Sequence, residues 1–127
     1  MNPPMYERVR WVFADNNLTD GYTVQMLFYD EPASESESVM IFRPNGGAAM
    51  TNDLGGDHYV LVDVVGARAR KRETTSHAQR ILDFFQANPL PFGCVGYIKP
   101  MGGLPAPVQT EEGRIVYRLP FSCTYGE

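Results

Sequence analysis

The sequence has no apolar run near the roughly 20 residues that a membrane helix needs, so a helical membrane span is not expected. Its start, Met1-Asn2-Pro3-Pro4-Met5-Tyr6-Glu7-Arg8, lacks the basic segment and roughly 7–15-residue apolar stretch of a secretory signal, and export is not expected. Cysteine is sparse. Cys94 and Cys123 sit in apolar, strand-like surroundings without CxxC spacing, which favours reduced buried thiols over a disulfide. There is no GxxxxGKS/T loop, strand-placed GxGxxG or GxSxG elbow, so neither phosphate cradling nor serine-hydrolase chemistry has support from a motif. Positive charge is in deficit, with 11 Lys and Arg against 15 Asp and Glu and a net charge of −4. That balance gives no general attraction to nucleic acid or anionic membranes, and neither a membrane nor a specific nucleic-acid sequence is an expected partner.

What is present suits one domain spanning 1–127. A 43% hydrophobic, 20% charged chain of this length removes about 65–70% of its unfolded surface from water on folding. In residues 4–15, Met5, Val9, Val12 and Phe13 recur at i, i+4, i+7 and i+8, and Pro4 suits a first turn; the spacing predicts a helix that Asn16-Asn17 ends. Trp11 lies off that stripe and is expected to be partly buried in the core. Tyr22–Tyr29 alternates as a strand with Tyr22, Val24, Met26 and Phe28 on one face. Residues 30–38, acidic and serine-rich, read as a mobile solvated loop before a short strand Val39–Arg43. A loop opened by Pro44-Asn45-Gly46-Gly47 closes at Gly55-Gly56, and the β-branched run Asp57–Val65 then reads as a central strand covered on both faces.

Ser76-His77-Ala78-Gln79 fits a capping box, followed by the stripe Ala78, Ile81, Leu82 and Phe85, and Asn88-Pro89 stops that second helix. A strand around Cys94–Lys99, a Gly- and Pro-rich loop over 100–107 and a long last strand follow. In the last strand Ile115, Tyr117, Leu119, Phe121, Cys123 and Tyr125 share one face, with Arg114, Arg118, Ser122 and Thr124 on the other. Pro120 lacks a donor and places that strand at an edge or a bulge. The order α-β-β-β-α-β-β predicts an α+β fold, a mixed, largely antiparallel sheet with two helices packed on one face.

Candidate chemistry is thin. His58 near Asp53 and Asp57 is the only grouping worth a metal test, and with no second His or Cys at ligand spacing a hydrogen-bonded structural role is favoured. His77 lacks visible proton-transfer partners. The pairs Gly46-Gly47, Gly55-Gly56 and Gly102-Gly103 read as turns, and Glu111-Glu112 as a solvated turn. No catalytic, cofactor or metal site is assigned. Arg68-Ala69-Arg70-Lys71-Arg72 joins the central strand to the second helix, either as a solvated connection or as a contact surface.

In three places the layout resembles the tail-terminator and minor-tail proteins of long-tailed bacteriophages. These are the strand Val39–Arg43 with its Gly-Gly loop, the strand Asp57–Val65 leading through a charged turn to the helix Ser76–Phe85, and the closing strand Gly113–Ser122. The resemblance runs from the first helix to the last strand and implies a structural, non-enzymatic phage or prophage protein. Such a protein forms a six-membered ring, caps the tail tube, stops its polymerisation and presents a surface to the head. Its implied partners are copies of itself, the tail tube protein and a head-completion protein; its implied setting is the host cytoplasm during assembly and then the virion tail. Contacts are expected at Glu31, Glu35 and Glu37 in the acidic loop, at Asn45 and Asp53 in the loop 45–56, and at Arg68, Arg70, Lys71 and Arg72, since a heterologous ring joins two different patches. Two other readings stay open. One is a head–tail connector or other minor tail protein, and the other is a small-molecule-binding or enzymatic domain with a pocket around Asp63, His58 or His77.

Overall fold

The computed structural model describes residues 3–47, 57–89, 91–93 and 95–125. In order they form helix α1 (Met5–Asp15), strands β1 (Tyr22–Met26), β2 (Ser38–Gly47) and β3 (His58–Val65), helix α2 (Lys71–Ala87), and strands β4 (Val95–Pro100), β5 (Val108–Gln109) and β6 (Ile115–Tyr125). The sheet runs β1-β2-β3-β6-β4, with the short β5 also on β6. Only β1 and β2 pair in parallel, so the sheet is mixed and largely antiparallel, and the fold is α+β.

Period-2 and period-3.6 patterns meet in one core. Met40 and Phe42 of β2, Val60, Val62 and Val64 of β3, and Tyr117, Leu119 and Phe121 of β6 project to the same side. Met5, Val9, Val12 and Phe13 of α1 and Ala78, Ile81, Leu82 and Phe85 of α2 cover that side. Both helices therefore lie on one face. Phe13 packs edge-on to Phe42 (centroids 5.0 Å apart) and to Phe121 (6.0 Å), and Phe85 meets Phe121 at 5.6 Å. Each such ring stabilises the fold by about 1.5–3 kcal/mol through burial, with a further contribution from the edge-to-face geometry. Cys123 is a free thiol in this core, and burial pushes its pKa up to about 12; Cys94 lies outside the described residues.

Several expectations shift. Trp11 is exposed on α1, because it stands two positions from both Val9 and Phe13 and so turns away from the side they bury. The first strand stops at Met26: Leu27 takes a left-handed conformation (φ 71°), and Phe28, expected on the core face, is 76% exposed. The second strand is longer than Val39–Arg43, since Pro44 lies beyond the end of β1 and its missing donor breaks no ladder there. The second helix begins at Lys71, so Ser76–Gln79 is helix interior and no capping box forms. Its first turn is set instead by Thr74, which is buried under Gly66 and whose hydroxyl donates to the Arg70 carbonyl at 2.7 Å.

Pro120 was expected at an edge or bulge, yet β6 is interior, between β3 and β4, and Pro120 sits in regular register opposite Leu61. Its carbonyl accepts from the Met101 amide, just past the end of β4, so the side without a donor faces the finish of a ladder. The central strand is covered fully on one face only. Across the other lie Ile41, Arg43, Leu61, Asp63 and Arg118, and a small cluster of Val39, Ile41 and Val65 packs with Tyr29 and Val116 at one end.

Candidate functional site

Arg114 was expected on the outward face of the last strand. It is instead 1% exposed, immediately before β6, and its guanidinium is the hub of a corner. Its Nε donates to Glu31 Oε2 at 2.9 Å, one terminal nitrogen to the Glu37 carbonyl at 2.5 Å and the Gly66 carbonyl at 3.4 Å, and the other to the Ser34 carbonyl at 3.1 Å. Arginine suits the place because its planar fork presents several donors in fixed directions. The segment 30–38 is therefore tied down rather than loose. The Tyr29 hydroxyl also donates to Glu31, and this bond, followed by Arg114, holds the Glu31 carboxyl below its usual range. Arg68 adds a second tie, with one nitrogen 3.2 Å from Glu35 Oε1 and Nε donating to the Glu112 carbonyl at 2.7 Å. Glu37 accepts from the Thr23 hydroxyl at 2.5 Å.

The structure thus divides the sequence candidates. Glu31, Glu35, Glu37 and Arg68 come together within the chain, around Arg114. Arg70, at the cap of α2, and Lys71 and Arg72, in its first turn, are exposed and make no ion pair among the described residues. Asn45 is exposed near the irregular end of β2, where pairing shifts between Pro44 and Gly47. Asp53 and most of the loop 45–56 lie outside the described residues.

A second charged group sits on the face of the sheet away from the helices. Asp63, with a side chain only 3% exposed, meets Arg43 at 3.0 Å through Oδ2, while Oδ1 is 3.9 Å from Arg118 Nε. Asp63 Oδ1 and Arg43 Nε are buried without a hydrogen-bond partner. Burial raises the Asp63 pKa, and the two arginines oppose that rise.

The histidines serve packing. His77 Nε2 lies 2.6 Å from the Leu18 carbonyl, and its ring stacks on Tyr22 at 4.7 Å; burial lowers its pKa against the pull of that carbonyl. His58 packs edge-on to Tyr125 at 4.8 Å, and Asp57 accepts from the Tyr97 hydroxyl at 3.0 Å. Among the described residues no three His, Cys, Asp or Glu side chains lie close enough to hold a metal ion.

A cavity of about 550 Å³ opens between the C-terminal turn of α2 and the edge strand β4, lined by Phe85, Pro89, Pro91, Ile98, Lys99 and Pro100 among others. None of Asp63, His58 and His77, around which the sequence left a pocket open, lines it. Sequence reading missed this cavity, exposed Phe28 and the role of Arg114. The Arg114 contacts span 48 to 83 positions, so no local pattern announces them; the one signal was an acidic loop with more carboxylates than its own cations could pair.

The chain matches, over residues 2–127, the family described as phage tail termination protein. A comparison with curated proteins finds no match.

Proposed function

The chain belongs to the phage tail termination protein family and is a tail assembly component; from that premise we propose that it terminates the tail as a ring. In this reading one domain, repeated around the ring, caps the tube, stops addition of further tube subunits and offers its far side to a head-completion protein. It assembles in the host cytoplasm, from a phage or prophage genome, and stays in the virion. The observation that carries the reading is the near-complete span of the family match, from residue 2 to residue 127. Two features support it. Among the described residues both edge strands, β1 and β4, have partners on one side only, so each subunit keeps two different faces for its neighbours. The exposed Arg70, Lys71 and Arg72 give one surface a local positive charge on a chain of net charge −4, as suits recognition of an acidic neighbour.

Native mass spectrometry over a wide concentration range, paired with a tube-growth assay, tests this. A ring-sized oligomer that halts tube polymerisation is the expected result. Binding to a head-completion protein with no effect on tube length would replace it with a connector role.

A further inference from the structure

Phe28 stands 76% exposed just past the end of β1, beside Leu27, which is also exposed. Leu27 holds a left-handed backbone conformation (φ 71°) that non-glycine residues adopt rarely and at a cost in energy. The Leu27 amide still donates to the Phe42 carbonyl at 3.0 Å, so β1 remains anchored up to the point where the chain turns and carries Phe28 off the core face. A strained turn that displays two apolar side chains to water contributes nothing to folding that an aspartate or glycine would not contribute better.

At the opposite edge of the same sheet the cavity beside β4 is lined by Phe85, Pro89, Pro91, Ile98 and Pro100, with Lys99 on the strand itself. At about 550 Å³ it exceeds several-fold the roughly 150 Å³ cavity that accepts a benzene ring. Knob and cavity lie at opposite edges of one sheet, the knob just past the end of β1 and the cavity along β4. Charge agrees as well: Asp30 follows Phe28, Lys99 lines the cavity, both are exposed, and neither makes an ion pair among the described residues.

We infer that Phe28, with Leu27 beside it, inserts into the α2–β4 cavity of a second copy of this chain. The inference rests on the ring reading and deepens it, by naming the knob and the socket of the head-to-tail contact. Knob and socket on opposite edges of the subunit is the arrangement that a heterologous contact repeats around a closed ring. The partner is this same chain because it carries both halves, while an isologous pairing of two sheet edges would leave the socket empty.

Variants Asp30→Cys, two positions past the knob, and Gln86→Cys, at the cavity wall, both keeping Phe28, are mixed and oxidised, with each variant alone as the control for Cys94 and Cys123. The expected result is a heterodimer only in the mixture, and a ladder of higher species from the double variant. Phe28→Asp should weaken self-association by tenfold or more, as loss of a central aromatic anchor does, with an unchanged circular dichroism spectrum. An oligomer that forms without the 30–86 cross-link, or that Phe28→Asp leaves intact, overturns this contact and leaves the ring reading standing. Wild-type protein that stays monomeric at the highest attainable concentration, with the mixed variants giving no cross-link, overturns both. A small apolar ligand that fills the cavity without affecting association overturns the inference in favour of ligand binding.

Discussion

The corner around Arg114 and the Arg43–Asp63–Arg118 group both bury charge against the same sheet, yet they are finished to different degrees. Arg114 directs its donors to one carboxylate and three carbonyls. Asp63 keeps one carboxylate oxygen without a hydrogen-bond partner, and Arg43 keeps its Nε likewise. A saturated network fixes a shape, because every departure leaves a buried polar atom unmet. An unsaturated one leaves buried polar atoms unmet and so holds its shape less firmly. The corner is therefore the part of the charged surface that fixes geometry, and the Asp63 group is the part whose bonding is less complete.

Four experiments can break or sharpen that contrast. The largest effect should come from Arg114→Met, which strips the corner of its hub and leaves three carbonyls and the partly exposed Glu31 to find water; a loss of about 2–4 kcal/mol in urea unfolding is expected. A loss under about 1 kcal/mol would end the distinction. Gly66→Ala comes next. A Cβ there would lie 2.0 Å from Thr74 Oγ1, so the start of α2 must move away from the corner, at about 1–3 kcal/mol by the same measurement. Asp63→Asn should change stability by no more than about 1 kcal/mol, since the amide still accepts from Arg43 and no longer carries a charge that burial disfavours.

The subtlest experiment perturbs nothing and follows the two carboxyls by NMR titration. Glu31 has its pKa lowered, first by the Tyr29 hydroxyl and then by Arg114, so its contribution to stability is present above its unfolded pKa and is lost as pH falls through the folded value. Asp63 has its pKa raised by burial, so the folded state binds that proton more readily; its ionisation brings a cost that appears as pH rises through the raised value and is absent below the unfolded one. Acid should weaken the corner and relax the sheet face. Shifts in the same direction at both groups would merge the two regions into one electrostatic unit.

The periodic parts of this fold were legible in the sequence. Met5, Val9, Val12 and Phe13, the stripe from Ala78 to Phe85, and the alternation from Ile115 to Cys123 all point inward, because hydrophobic spacing reports which side of a helix or strand is buried. The tail-terminator resemblance was legible at the same level, in the order of the strands and helices, and the family match covers nearly the whole chain. What escaped depends on tertiary contact. The start of α2 was misplaced because a serviceable capping pattern at Ser76 lay inside a helix whose first turn is set by Thr74 under Gly66. Pro120 was misjudged because its tolerance depends on where β4 ends rather than on whether β6 has neighbours. Arg114 read as one more outward cation in an alternating strand, since nothing nearby in sequence reveals a partner 83 positions away.

The reach of Arg114 also governs time. Its bonds to Gly66, Ser34, Glu37 and Glu31 each close a loop of 48 to 83 residues, so they gain nothing until β6 has docked between β3 and β4. The corner is thus expected to form late in folding, so its loss should leave the refolding arm of a chevron in place while speeding unfolding. A subunit that must outlast its own assembly inside a particle gains from such a late latch, because it slows escape without delaying arrival.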